Sequence, residues 1–70
     1  MLQDYDQAIA LDPKNAFVFN SRGWQFYQLK QYKQAIVDFR RALVLAPDSK
    51  ESQAGLAQGL KAQQAQRKTD

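Results

Sequence analysis

The 70-residue sequence contains no cysteine and no histidine. Without cysteine there is no disulfide, no thiolate nucleophile and no soft metal ligand, and without histidine the most common general base is missing. No glycine-rich loop follows a strand pattern, so there is no phosphate cradle. Seven carboxylates remain, and we interpret them as helix-surface or capping residues: Asp4, Asp6, Asp12, Asp38, Asp48, Glu51 and Asp70. The sequence therefore predicts no enzyme, with no catalytic residue, no metal site and no cofactor.

Long apolar runs are also missing. No stretch approaches the roughly 20 apolar residues that a membrane-spanning helix needs. Asp4, Asp6 and Asp12 interrupt any hydrophobic segment of the kind found in a signal peptide. The sequence therefore predicts a soluble, cytoplasmic protein with no membrane partner.

Charge of either sign is modest. The net charge is +3, from 10 basic and 7 acidic residues. Adjacent basic pairs occur only at residues 40–41 and 67–68, whereas a nucleic-acid-binding surface clusters several bases on one face. This distribution disfavours nucleic acid as a partner.

Apolar residues recur at steps of three and four, as they do on one face of an amphipathic helix. The clearest stripe runs through Tyr32, Ala35, Ile36, Phe39, Ala42, Leu43 and Ala46. No segment shows the sustained alternation of period two that is typical of a strand. The sequence predicts an all-α protein with about four helices, near residues 2–12, 15–29, 32–46 and 49–65.

Local signals support these boundaries. Pro13 and Pro47 disfavour helical geometry in the residue before them, so a helix should end just ahead of each. The break near residues 29–31 has no glycine, so Lys30 or Gln31 must adopt any left-handed conformation that the turn needs. The candidate N-cap residues are Asn15 and either Asp48 or Ser49.

Two segments repeat each other at an offset of 34 residues: YDQAIALDPKN at 5–15 and FRRALVLAPDS at 39–49. A helix–turn–helix unit of this length resembles the tetratricopeptide repeat, whose pattern is W-x2-L-G-x2-Y, then A-x3-F, then P. The pattern falls on Phe19, Arg22, Gly23, Phe26, Ala35, Phe39 and Pro47. The sequence departs from the pattern at Phe19, which replaces the tryptophan, at Arg22, which replaces the leucine, and at Gln53, where the last segment would have an aromatic residue.

The resemblance covers the whole chain and implies antiparallel helix–turn–helix repeats. Residues 1–14 resemble the second helix of a partial repeat, 15–48 a full repeat, and 49–70 the first helix of a following repeat or a capping helix with a polar tail. Gly23 and Ala35 are small where the two helices of the full repeat are expected to cross. The gaps between helices are expected to be filled by Phe19, Phe26, Tyr32 and Phe39.

A second stripe on predicted helix 15–29 lies beside its core stripe and consists of Phe17, Asn20 or Ser21, Trp24, and Tyr27 or Gln28. First helices line a concave groove for peptides or partner helices in the family, and the resemblance implies that this groove is lined by Phe17, Asn20, Trp24, Tyr27 and Gln28. For Trp24, packing against predicted helix 49–65 is the alternative, and both interpretations stay open. The carboxylate clamp known in the family is disfavoured, because its asparagine and basic positions fall on Ser21, Glu51 and Gly55.

Three functions are compatible with these patterns. The leading hypothesis is a protein-interaction or scaffolding module that binds a peptide or partner helix in the groove. The alternative is a structural unit that assembles with itself, as a dimer by the frequency of two-fold symmetry, because the acidic 1–12 and basic 60–70 segments are complementary. RNA binding by a helical solenoid ranks behind both.

Overall fold

The computed structural model describes residues 2–69, and the side chains of residues 5–67. The described chain consists of four helices: α1 (Leu2–Leu11), α2 (Ala16–Gln28), α3 (Tyr32–Leu45) and α4 (Lys50–Thr69). It contains no strand within residues 2–69, so the predicted all-α class is confirmed. The predicted boundaries hold within one residue for the first three helices, whereas α4 continues four residues beyond the predicted end. None of the helices in this range is long and apolar enough to cross a membrane.

Side-chain caps and one strained residue set the helix ends. The Asn15 side chain accepts hydrogen bonds from the backbone N–H groups of Phe17 and Val18, at 3.1 and 3.4 Å, and so caps α2. Ser49 caps α4 in the same way, because its Oγ accepts from the Ser52 N–H at 3.2 Å. Lys30 has a φ of 62°, so it is the residue that adopts the left-handed conformation between α2 and α3. The caps and the left-handed turn are therefore where the sequence predicts them.

The helices pack in chain order, with α2 against α3 and α3 against α4. In addition, α1 packs on α2, and α2 also touches α4. Short turns join consecutive helices, so each neighbouring pair runs antiparallel. As a result, α2 lies beside all three other helices and has one remaining face available to solvent.

The Phe39 ring is the centre of the core and is fully buried. A Cβ atom placed on Gly23 of α2 would lie 2.8 Å from the Phe39 Cε1, and one placed on Gly55 of α4 would lie closer still. A Cβ atom placed on Gly59, one turn further along α4, would lie 3.0 Å from Ile36 Cγ1. Glycines on two helices therefore allow both to approach the phenylalanine ring on α3.

Asp38 corrects one sequence-based expectation. It was expected on a helix surface, yet it is 1% exposed. Its two carboxylate oxygens accept hydrogen bonds from Arg22, Nε at 2.7 Å and Nη2 at 2.8 Å. The Arg22 Nη1 also donates to Asp6 of α1 at 2.6 Å. Arg22 replaces the leucine of the repeat pattern, and its buried carboxylate partner explains how a charged side chain is accommodated there.

The surroundings of Arg22 stabilise its charged form. The hydrogen bonds to Asp38 raise the pKa of Arg22 above its ordinary value, burial partly opposes this, and the bond to Asp6 raises it further. The guanidinium also lies 5.9 Å from the Phe19 ring centroid and 5.7 Å from that of Phe26. Arg22 therefore joins α1, α2 and α3 as a permanent cation with two carboxylates and two aromatic rings around it.

Candidate binding groove

The free face of α2 borders a concave region of about 360 Å³ that also includes parts of α1 and α4. We refer to this region as the groove. Its lining residues are Tyr5, Phe17, Asn20, Ser21, Trp24, Gln25, Gln28 and Glu51. Four of the five residues that the sequence predicts for a site therefore lie together: Phe17, Asn20, Trp24 and Gln28. Tyr27 does not line the groove and instead packs edge-on against the Trp24 and Tyr32 rings.

Phe17 is the most exposed of the three aromatic residues that line the groove, at 70% exposure. It lies in the first turn of α2, directly after the Asn15 cap, and it is absent from the buried core. A large apolar side chain at this position contributes little to folding. It leaves apolar area available for a partner.

Trp24 has two kinds of contact. Its ring meets the Phe39 ring edge-on at a centroid distance of 5.1 Å and the Tyr27 ring at 5.5 Å. It also lines the groove and is only half-buried. Trp24 therefore packs on the core through Phe39 of α3 and also lines the groove, whereas its packing against predicted helix 49–65 stays a prediction.

A chain of hydroxyl groups connects the groove to the start of α4. Ser49 Oγ lies 3.1 Å from Ser52 Oγ, and Ser52 Oγ donates to Asn20 Oδ1 at 3.2 Å. Asn20 and Ser52 are both buried, so this bond is shielded from water. The Asn20 Nδ2 group has no hydrogen-bond partner among the described residues, and it is not one of the fully buried polar atoms. It is available to donate to a bound molecule.

The groove carries one formal charge, the Glu51 carboxylate in the first turn of α4. None of the other lining residues is an aspartate, glutamate, lysine or arginine. Sequence reasoning placed neither Tyr5 nor Glu51 in the groove, because both come from helices other than α2. Gln25 was also missed as a lining residue, although it lies one turn from Ser21 and from Gln28 along the same helix. Ser21 itself is the predicted alternative to Asn20 on the second stripe.

A separate concave region of about 500 Å³ lies between α2 and α3 and shares no lining residue with the groove. Its residues are Arg22, Phe26, Lys33, Gln34, Val37, Asp38 and Arg41. Three of them are basic, but Arg22 is already paired with two carboxylates. The sequence analysis identified no site in this region.

The antiparallel pair α2–α3, packed between a helix on each side, defines a class of α-helical repeat proteins. The tetratricopeptide repeat family matches residues 16–49, which contain this pair. Human mitochondrial import receptor subunit TOM70 is 38% identical over 52 residues. These residues are 74% of this chain and 9% of that protein, so the chain spans less than a tenth of this relative's length. No solved structure matches the chain significantly.

Residues 16–49 therefore form a tetratricopeptide repeat. The predicted pattern from Phe19 to Pro47 lies within the matched residues, and its departures at Phe19 and Arg22 are accommodated by the packing described above. Tetratricopeptide repeats generally mediate interactions between proteins. This general role, and the all-α repeat architecture, apply to the chain.

Proposed function

We propose that the groove binds a segment of a partner protein, either an extended peptide or a helix, and that the chain acts as an interaction or scaffolding module. The observation that carries the proposal is the pairing of an exposed Phe17 with a half-buried Trp24 along one wall of the groove. Large aromatic side chains of this kind contribute a disproportionate share of binding energy at protein interfaces.

The polar residues of the groove support a peptide as the bound group. Asn20, Gln25 and Gln28 carry amides, which both donate to and accept from a peptide backbone. The Asn20 amide is held by Ser52, so its orientation is set before a partner binds. Such preorganisation reduces the entropy that binding must overcome.

Selection from a displayed library of random peptides tests the proposal. Binders are selected on the unmodified chain and then compared on two variants, Phe17→Ser and Val44→Ser. Val44 is 81% exposed and lies outside the groove, so both variants remove a large exposed apolar side chain with little effect on folding. We expect peptides that lose at least about tenfold in affinity with Phe17→Ser and keep it with Val44→Ser. A selection that yields no Phe17-dependent peptide would contradict the proposal.

A second candidate function is self-association, which a different surface supports. Leu11 and Val44 are 88% and 81% exposed, and Val44 lines a shallow apolar depression of about 230 Å³ with Pro13, Phe19, Arg41 and Leu45. We infer that a second copy of the chain covers this depression in a dimer. The acidic and basic end segments predicted to assist assembly include Asp4 and Lys68, whose side chains lie outside the described ones.

Sedimentation equilibrium at tens of micromolar tests self-association. The expected species has twice the 8.0 kDa mass of one chain, and Val44→Asp should return it to one chain because it places a charge in the apolar depression. Phe17→Ser is the matched control and should leave the dimer intact. A single 8.0 kDa species at all concentrations would contradict this second candidate and leave the groove proposal untouched.

A further inference from the structure

We propose that the partner segment inserts a basic side chain, lysine or arginine, into the groove, where aromatic rings and the Glu51 carboxylate receive its charge. This inference rests on the proposed function, because it names the kind of peptide that the same groove binds. The supporting observation is the composition of the lining: three aromatic residues from two helices, Tyr5, Phe17 and Trp24, together with a single acidic group from a third helix.

Aromatic rings attract cations, because each ring carries partial negative charge on its two faces. Tryptophan is the strongest of the side chains in this respect, followed by tyrosine and phenylalanine. A lysine or arginine stem also covers apolar surface, so one basic side chain can contact Phe17 with its methylene groups and place its charged end near a carboxylate. The lining thus matches both parts of a basic side chain.

Glu51 is available for this contact. Among the described side chains it forms no hydrogen bond and no ion pair, whereas Asp6 and Asp38 are both engaged by Arg22. Its position is fixed by the first turn of α4, where Ser49 caps the helix and Ser52 bonds to Asn20 of α2. The start of α4 therefore places Glu51 beside α2, and none of the described side chains supplies a cation to neutralise its carboxylate.

Charge complementarity also selects against other ligands. The chain carries a net charge of +3, yet the groove lining contains no base and one acid, so its local charge is opposite to that of the whole protein. Lys33 and Arg41 line the separate region beside α3, which shares no residue with the groove. An acidic peptide end would meet Glu51 with no base in the lining to pair it. A purely apolar peptide would leave the exposed Glu51 carboxylate in solvent and would gain no binding energy from it.

The peptide backbone on either side of the basic residue has its own contacts. The free Nδ2 group of Asn20 can donate to a backbone carbonyl. The amides of Gln25, next to Trp24, and of Gln28, one turn after it, line the same groove. These groups orient the backbone, whereas the rings and the carboxylate select the side chain.

The displayed-peptide selection provides the test, because it requires no known partner. Among the Phe17-dependent peptides we expect a lysine or arginine at one fixed position. In a synthetic copy of the best peptide, replacement of that residue by norleucine should weaken binding about tenfold, as measured by the fluorescence of Trp24, the only tryptophan in the chain. The preference should also decrease as salt is added, since the rim of the groove is open to solvent.

Two matched variants assign the preference to the groove. Glu51→Gln should reduce the difference between the basic and norleucine peptides to about twofold or less, leaving norleucine binding unchanged. Asp48→Asn removes the same charge from an exposed residue that does not line the groove, and should leave the difference intact. Equal behaviour of the two variants would overturn the inference.

The selection also separates this inference from the proposal on which it rests. Phe17-dependent peptides without a basic residue would overturn the inference and support the proposed function. No Phe17-dependent peptide at all would overturn both. Phe17-dependent peptides with a basic residue whose preference disappears in Glu51→Gln would support both.

Discussion

The Arg22 guanidinium donates two parallel hydrogen bonds to the buried Asp38 carboxylate, with N–O distances of 2.7 and 2.8 Å across the α2–α3 interface. This two-point geometry is the strongest arrangement available to an arginine and a carboxylate. Arg22 occupies a position where the family pattern has an apolar residue. A charged pair therefore takes the place of apolar packing between the two helices of the repeat.

The first prediction concerns this pair. Arg22→Leu removes the cation and leaves Asp38 buried without its partner, so it should lower the free energy of unfolding by about 3–5 kcal/mol. The double variant Arg22→Leu/Asp38→Leu should recover most of that loss, because it removes both charges and restores an apolar contact. Urea unfolding followed by circular dichroism measures both values.

Asp6→Asn is the control for the Arg22 network. Asp6 is largely exposed, so losing its bond to Arg22 should cost about 1 kcal/mol or less. If the double variant were as unstable as Arg22→Leu alone, the penalty would come from lost packing of Arg22 and not from the stranded carboxylate.

Most of the fold can be predicted from the sequence because its signals are local. The stripe spacing sets the helices, Asn15 caps α2 from two residues away, and the turn between α2 and α3 leaves Lys30 as one of two candidates for a left-handed residue. The 34-residue repeat then relates these helices to a known architecture. Each inference uses residues that are close in sequence or fixed by the repeat.

Two features cannot be predicted from the sequence without knowing how the helices pack. Asp38 lies next to the apolar stripe of its helix, one residue before Phe39, and the sequence predicts it on the surface. Only the packing of α2 on α3 shows that Asp38 is buried and that Arg22 is its partner. Likewise, Glu51 joins the groove because α4 contacts α2, and no spacing within one helix indicates this. Sequence reasoning therefore identifies the α2 wall of the groove and misses the walls supplied by α1 and α4.

The second prediction concerns Gly55. In a helix interior, glycine to alanine normally stabilises by about 1 kcal/mol. Here the new Cβ would overlap the Phe39 ring, so Gly55→Ala should instead destabilise the protein by about 1–3 kcal/mol. Gly59→Ala is the matched comparison on the same helix, and it should cost less because its Cβ would lie 3.0 Å from Ile36 Cγ1, a longer distance than that from a Cβ on Gly55 to the Phe39 ring.

A smaller side chain at position 39 should reduce the destabilisation that Gly55→Ala causes. Phe39→Leu alone should be destabilising. The double variant with Gly55→Ala should lose less free energy of unfolding than the sum of the two single losses, because the added methyl group fills the space that the ring vacates. Additive effects of the two changes would show that the glycine is not required by the ring.

The third prediction concerns Lys30. Its φ of 62° is unfavourable for a residue with a Cβ atom, so Lys30→Gly should raise the free energy of unfolding by about 0.5–1 kcal/mol. Lys33→Gly, which changes an exposed lysine within α3, should lower it by about 1 kcal/mol. Thermal unfolding of the two variants distinguishes a glycine that relieves strain from one that weakens a helix. A lower stability of Lys30→Gly would mean that the lysine side chain itself contributes to the turn.

The fourth prediction separates folding from recognition at Trp24 and Phe39. Phe39 is fully buried, so Phe39→Ala should cost about 3–5 kcal/mol of stability. Trp24 is only half-buried, because part of its ring lines the groove, so Trp24→Ala should cost less than Phe39→Ala. In return, Trp24→Ala should weaken a Phe17-dependent peptide by about tenfold or more, measured by calorimetry under conditions in which circular dichroism shows the variant to be folded. Equal destabilisation by the two changes, with peptide affinity unaltered in Trp24→Ala, would assign Trp24 to the core alone and leave Phe17 as the aromatic anchor of the groove.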